Sequence, residues 1–286
     1  MPENKKQIKE RIIATKKTGQ ITSAMNMVSS AKLRRSERSL MKFRPISDSI
    51  KETMASLLKS NPDITHKTLS LNEGKECFVI LSTDRGLAGS YNNSLFKYFE
   101  LFLKENNINK ENIFIATIGI KAFSYFKKKG YTLINNEPIN IRDDVLFVDY
   151  EDLLVKLVEG YAKGEIGKTT ILYNAYKNSM ECVQSLTTLL PIDVKSERIE
   201  NVSEYIFEPN IDQVLDSLIY LDVSYTMHRI ILEAKSSEHA SRMNSMKNAS
   251  DNAEEIASRL TLLYNRARQT QITTELIDIV NGSSAV

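Results

Sequence analysis

Three stretches of this 286-residue chain carry residue types at spacings that could do chemistry. The first, Ala162-Lys163-Gly164-Glu165-Ile166-Gly167-Lys168-Thr169, fits a relaxed phosphate-loop pattern ending in Gly-Lys-Thr. A phosphate loop joins a strand to a helix, so that backbone N–H groups and the helix N-terminus face the phosphates. Here a helical pattern precedes the stretch, a β-rich one follows, and the first glycine of the strict pattern is Ala162. The stretch reads as a helix-to-strand turn, with Lys168 dispensable. The second, Asp84-Arg85-Gly86-Leu87-Ala88-Gly89, has the better context, following a strand and opening a helix. It could hold an anion. A tight turn needing glycine dihedrals, with Asp84 and Arg85 pairing or capping locally, is the simpler alternative, since no general base or metal ligand accompanies it. The third is the basic run Lys32, Arg34, Arg35, Arg38, Lys42 and Arg44. Nucleic-acid binding would want interleaved aromatics, and Phe43 is the lone one, so a solvated or protein-facing basic helix fits better.

Other catalytic constellations are absent from the sequence. His66, His228 and His239 are scattered, with no Cys, His or carboxylate at metal-ligand spacing. On one helix, His228 and His239 would lie about 16 Å apart, too far to share a metal. Glu254 and Glu255 read as a solvated helix face. Cys77 and Cys182 suit neither a metal cluster nor a disulfide framework and point to a reducing compartment.

The elements that must position these residues are unusual in length. From Asn210 to Asn281 there is neither Gly nor Pro, with Pro209 before and Gly282 after, the punctuation of a single helix. Roughly 70 helical residues would span about 105 Å. Met243, Met246, Ala253, Ile256, Leu260, Leu263 and Ala267 read as a coiled-coil seam, continued upstream by Ile211, Val214, Leu218, Leu221 and Tyr225. Residues 3–60 read as a second long helix. Its stripe is Leu33, Leu40, Phe43, Ile50, Met54 and Leu57, extended by Ile21, Met25 and Val28, and Gly19 and Pro45 are expected to interrupt it. The middle alternates strands and helices: strands at 77–81, 113–118, 169–176 and 181–189, helices at 94–104, 121–129 and 152–162. Such alternation argues an α/β layer domain. The expected division is 1–60, a coiled-coil helix; 75–195, an α/β domain; and 210–283, a second coiled-coil helix, with 195–209 connecting.

Composition bounds the rest. With 42% hydrophobic and 26% charged residues the chain can form a core. Ten Gly and six Pro are too few for an ordinary all-β protein. No run of about 18 apolar residues suggests a membrane span. The Lys-rich N-terminus lacks the apolar segment of a secretory signal, and Glu3 and Glu10 argue against an organelle transit peptide. Residues 1–60 carry a net charge of +9, residues 61–224 −7, and residues 225–286 zero. A basic arm can meet nucleic acid, lipid headgroups or an acidic protein surface.

Three blocks together resemble the gamma subunit of F-type ATP synthase. They are Thr18-Gly19-Gln20-Ile21-Thr22-Ser23-Ala24-Met25-Asn26-Met27-Val28-Ser29-Ser30-Ala31-Lys32; Leu81-Ser82-Thr83-Asp84-Arg85-Gly86-Leu87-Ala88-Gly89-Ser90-Tyr91-Asn92; and the stretch from Glu238 to the end. The last includes Ser241-Arg242-Met243, Asp251-Asn252-Ala253, Tyr264-Asn265-Arg266-Ala267-Arg268-Gln269 and Ile272-Thr273-Thr274-Glu275-Leu276-Ile277-Asp278-Ile279-Val280-Asn281-Gly282. The resemblance covers nearly the whole chain in order. Ser245, Thr270 and Ser283 stand where the family usually has alanine, and the cysteine-bearing insertion of the chloroplast form is missing.

The resemblance implies a long antiparallel coiled coil of N- and C-terminal helices with a central Rossmann-like α/β domain as foot. It implies a non-catalytic rotor shaft of a proton-translocating ATP synthase, with no catalytic, metal or cofactor-binding residue. The implied partners are three alpha and three beta subunits, the epsilon subunit and the membrane c-subunit ring, with one copy of this chain per complex and no nucleic acid. The implied place is the cytoplasmic face of a bacterial inner membrane. By motif match, Met25, Arg242, Arg268, Gln269, Thr273 and Glu275 are expected to affect coupling. Charge alone adds Lys32, Arg34 and Arg35, expected to face acidic loops of the beta subunits. A coiled-coil scaffold with an α/β head, or a nucleotide-binding enzyme built on the Gly-Lys-Thr stretch, are the rival expectations.

Overall fold

The computed structural model describes residues 5–62, 66–192, 208 and 210–283. The expected connection 195–209 therefore lies outside the described residues apart from Glu208. The chain packs as two compact units: Met1–Ser29 with Arg242–Val286, and Ser30–Ser241. Two helices, α1 (Lys5–Ser60) and α5 (Ile211–Ser283), contribute to both.

In the larger unit a four-stranded sheet is built from β1 (Lys75–Leu81), β2 (Ile113–Ile118), β3 (Ile166–Tyr176) and β4 (Cys182–Leu190), in the order β2-β1-β3-β4. β1 runs parallel to both β2 and β3. β4 folds back antiparallel on β3 as a hairpin. The continuous apolar run of β1 is explained by burial on both faces. Cys77, Val79 and Leu81 point to one side with α4 (Glu151–Ala162) and the middle of α5. Phe78 and Ile80 point to the other, where Leu95, Phe96 and Phe99 of α2 (Tyr91–Glu105) and Phe126 of α3 (Ile120–Lys128) fill the core.

α5 is buried nearly all round from Asp222 to Ala240, since the sheet takes one side and α1 another. The sequence gives little warning of this, because Ser224, Thr226, Ser236 and Ser237 are among the buried residues. Within this unit α1 and α5 run antiparallel. The Ser36 and Ser236 hydroxyls hydrogen-bond at 2.8 Å, Phe43 stacks on Tyr225 at 5.1 Å, and Met54 and Leu57 pack with Leu215 and Ile219.

In the smaller unit the same sense holds. Asn26 Nδ2 donates to the Met243 carbonyl at 2.8 Å, and the Lys5 ammonium lies over the Tyr264 ring. The approach is close: a Cβ placed on Gly19 would stand 3.3 Å from Ala253 Cβ.

The buried or half-buried face of α1 steps by alternate fours and threes without a break: Ile8, Ile12, Thr15, Gly19, Thr22, Asn26, Ser29, Leu33, Ser36, Leu40, Phe43, Ser47, Ile50, Met54, Leu57. This is heptad spacing within each unit, up to Ser29 in the smaller and from Leu33 in the larger. Its lower half is the predicted one. Its upper half is not: Ile21 and Val28 are exposed, and the contact is made by small and polar residues one position away.

The same correction applies to α5. Ile256 and Leu263 are 47% and 48% exposed. The seam runs instead through Met243, Met246, Ser250, Ala253, Ala257, Leu260, Tyr264 and Ala267. Large side chains at 256 and 263 attract the eye, but the helices meet where side chains are small enough to allow it. The expected interruption of α1 is also absent. The helix runs through Gly19 and Pro45. Pro45 is exposed, and Gly19 lies on the seam, where its missing side chain lets Ala253 come close. α5 likewise continues past Asn281 to Ser283.

Overpacking a tight contact costs about 1–3 kcal/mol. Gly19→Leu is expected to lower unfolding stability by that amount, measured by urea titration followed by circular dichroism. Ile256→Gln is expected to change it by less than about 0.5 kcal/mol, the ordinary range for surface sites. The reverse order of these two effects would contradict the small-residue seam.

Candidate functional site

The stretches that could do chemistry are absorbed into the fold. The Gly-Lys-Thr stretch joins α4 to β3, a helix to a strand, which is the wrong order for a phosphate cradle. Gly167 has a packing duty: a Cβ there would meet the Gly74 carbonyl oxygen at 2.3 Å. Lys168 lies in β3, facing Glu76 across 3.7 Å.

The loop from Asp84 to Gly89 does lead from a strand into a helix. Its groups are spent on the protein itself. Asp84 Oδ1 accepts from the Ile120 backbone N–H at 3.1 Å and so caps α3. This caps a different helix from the one the loop opens. Burial pushes the Asp84 carboxyl above its usual range, against the opposing influence of Lys235. The Ala88 carbonyl accepts from the Ser241 hydroxyl at 2.7 Å, and Tyr91 at the loop's end donates to the Ala234 carbonyl at 3.0 Å. The loop thus seats the middle of α5.

The three histidines are each engaged separately. His66 faces Asp216 at 3.0 Å, His239 faces Asp143 at 3.2 Å, and His228 bonds the Tyr150 hydroxyl at 2.8 Å. Among the described residues no group of His, Cys, Asp and Glu could hold a metal ion, and no helix is long and apolar enough to cross a membrane.

The partner-contact residues expected from sequence fall into three places. Lys32, Arg34 and Arg35 lie on α1 in the larger unit. Two are engaged within the chain: Lys32 pairs with Asp143 at 2.7 Å and Arg35 with Asp144 at 2.7 Å. Arg34 is exposed. Met25 and Arg242 are half-buried near the start of the smaller unit's helix pair. Arg268, Gln269, Thr273 and Glu275 are exposed on the last turns of α5.

Those turns continue beyond Tyr264, the residue beside Lys5, so no described part of α1 runs alongside them. The result is a single helix whose Ile272, Leu276, Ile279 and Val280 are all exposed. Exposed apolar residues in such number on one helix mark a contact surface.

A family model described as ATP synthase matches residues 4–286. Over 284 residues, 98% of each chain, the protein is 36% identical to the ATP synthase gamma chain of Staphylococcus saprophyticus. The chain belongs to the ATP synthase gamma chain family. A second family member, from Symbiobacterium thermophilum, is 38% identical over 291 residues, covering 100% of this chain and 99% of its own. The fold agrees. A chain of the Euglena gracilis mitochondrial ATP synthase assembly of OSCP, F1 and c-ring superposes with a TM-score of 0.68 at 17% identity, over 98% of this chain and 94% of that one. A chain of the Tetrahymena thermophila central stalk and c-ring gives 0.59 at 22% identity, over 80% and 99%. Gamma chains are non-catalytic subunits of the complex.

One feature the sequence analysis missed is the segment facing both helices around Asp143, Asp144 and Phe147. Its one signal was a pair of adjacent aspartates beside an apolar run. His228 belongs to this region and has a measurable signature. Burial lowers its pKa from 6.5 to about 4. The unfolded chain then binds a proton first as pH falls. His228 contributes nothing to the pH dependence above about 6.5 and destabilises progressively down to about 4, by up to about 3 kcal/mol. Urea midpoints measured between pH 7 and pH 4.5 are expected to show this decline, and His228→Gln to reduce its slope. An unchanged slope in the variant would assign the decline elsewhere.

Proposed function

We propose that this protein is the central rotor shaft of a proton-translocating F-type ATP synthase, coupling rotation of a membrane c-subunit ring to ATP synthesis or hydrolysis on beta subunits. Family membership over essentially the whole chain carries this reading. The exposed apolar residues at the end of α5 support it, because a shaft seated in a ring of other subunits needs a contact surface there.

The partners in this reading are three alpha and three beta subunits around the helix pair, and epsilon with the c-ring against the α/β unit. The chain is present once per complex. The bacterial relatives support a place at the cytoplasmic face of the inner membrane.

The physical logic needs no reactive group. Two unequal helices present different side chains in different directions. Three otherwise equivalent beta subunits then meet three different surfaces. Contacts that differ between open and closed states shift each subunit's population. A difference of about 1.4 kcal/mol shifts such a balance tenfold. Turning the shaft moves these biases around the ring. Arg268, Gln269, Thr273 and Glu275 lie on the exposed end where such contacts would be made, and Arg34 is one of the exposed cations of the basic run. Met25 and Arg242 complete the proposed coupling set on the helix pair.

Mixing the purified chain with alpha and beta subunits is expected to give an ATP-hydrolysing complex containing one copy of it. A chain ending at Tyr264 should assemble more weakly. Arg34→Glu should lower ATP-driven proton pumping in membranes more than ATP hydrolysis. Failure of the intact chain to associate with alpha and beta subunits would overturn the rotor reading and favour the scaffold.

A further inference from the structure

The segment 141–150 enters from the Gly119–Ile139 backbone contact at the end of β2 and leaves into α4. It is short of regular structure, with one 3₁₀ turn at Phe147–Asp149, yet it is internally fixed. Asp149 Oδ2 accepts from the Leu146 N–H at 3.2 Å, and its other oxygen pairs with Arg142 at 2.9 Å. Ile141 at one end and Tyr150 at the other are buried in the core of the α/β layer. A segment anchored at both ends and braced between them holds its shape.

This segment grips both long helices at two levels. At one level Asp143 stands between them: one oxygen faces Lys32 of α1 at 2.7 Å and the other faces His239 of α5 at 3.2 Å. Burial raises the Asp143 pKa, but the Lys32 hydrogen bond and the charges of His239, Lys32 and Lys235 outweigh it, so its net pKa is lowered and it is a carboxylate at neutral pH. Asp144 adds a pair with Arg35 at 2.7 Å.

At the other level Phe147 enters an aromatic group shared by the helices. It stacks on His228 at 4.3 Å, lies 5.5 Å from Tyr225 and 6.3 Å from Phe43. The Tyr150 hydroxyl fixes His228 from beneath at 2.8 Å. The contacts run from Tyr225 to His239 on α5, about 21 Å at 1.5 Å per residue, and from Lys32 to Phe43 on α1, about 16 Å.

We propose that residues 141–150 form a torsion brace, a strap whose two anchor levels lock the α/β foot to both helices, so that torque passes between foot and shaft without slip. The brace rests on the rotor function proposed above. The core of the α/β unit already holds α5, and a strap meeting each helix at one point would add little to that hold. Two contacts on each helix, separated along its length, resist rotation about the axis and tilt away from it. Exposed ion pairs are weak individually, about 0–1 kcal/mol. Their role here is positional: Asp143 joins three elements through one carboxylate, and the aromatic group supplies the stiff packing. Asp143, Asp144 and Phe147 are thus positioning residues for coupling.

The test uses the assembled complex with a bead on Met180→Cys, at the exposed tip of the β3–β4 hairpin, in a Cys182→Ser background. In a complex stalled without ATP, thermal angular fluctuations of the bead report torsional stiffness. Weakening one level, with the α5 core and the other level intact, is expected to raise the mean-square fluctuation by less than about twofold but above the parent's in Phe147→Ala and in Asp144→Arg, since coupling is carried by packed side chains and ion pairs. Adding Arg35→Asp to Asp144→Arg is expected to restore the parent value. Fluctuations in Asp144→Arg equal to the parent's, or no recovery in the charge-swapped double variant, would overturn the brace. Should Phe147→Ala fail to assemble, the charge swap decides alone. A parent complex whose bead does not turn with ATP would count against the rotor reading instead.

Discussion

Close contact between α1 and α5 is the constraint on which the rest depends. At Gly19 and Ala253 the two helices come so near that a Cβ on the glycine would stand 3.3 Å from the alanine Cβ, a tight contact that a large side chain at either position would force apart. Most of the stability of each helix comes from packing its apolar face rather than from propensity. Together, and only in an antiparallel seam of alternating fours and threes, they bury one face each. Small residues let the helices approach, and close approach makes a thin pair stiffer against bending and twisting than a loosely packed one would be. The large apolar residues Ile256 and Leu263 are then left outside, where another protein can meet them.

The α/β unit solves a second problem, which is to hold a helix pair firmly by a surface made for it. α5 passes through the unit as a core element, with Val223, Met227, Ile230 and Ile231 in the same cluster as Val79 and Ile171. Loops then close around it. The Asp84–Gly89 loop binds Ser241, Tyr91 binds the Ala234 carbonyl, and the 141–150 segment reaches both helices. A glycine-containing loop after a parallel strand is often where a ligand sits. Here the same geometry receives a helix. This explains why the most enzyme-like stretches of the sequence carry no chemistry.

Much of this was legible from residue order. The two-sided burial of β1 follows from Cys77-Phe78-Val79-Ile80-Leu81, and the lower seam follows from Leu33, Leu40, Phe43, Ile50, Met54 and Leu57, because each is a large apolar side chain at the right period. The seam before Leu33 is displaced by one residue from the expected stripe because the helices meet there through small and polar side chains. Ile21 and Val28 outweigh Gly19, Thr22, Asn26 and Ser29 on any hydrophobic scale, although the contact uses the latter. The destination of Lys32 and Arg35 was hidden for a different reason. Their carboxylate partners lie more than a hundred positions away, in a segment without regular structure, and net charge cannot say whether a cation faces its own chain or another. The family resemblance, carried by the blocks at 18–32, 81–92 and 238–282, located the function where local chemistry offered none.

The central claim is mechanical, and rotation tests it most directly. The intact chain is assembled with alpha and beta subunits, the head is fixed to a surface, and a bead is attached to the α/β unit. On addition of ATP the bead is expected to turn in one direction, repeatedly and in discrete steps, at a rate that follows hydrolysis. A complex that hydrolyses ATP steadily while the bead only fluctuates about a fixed angle would contradict a shaft whose asymmetry is its working part.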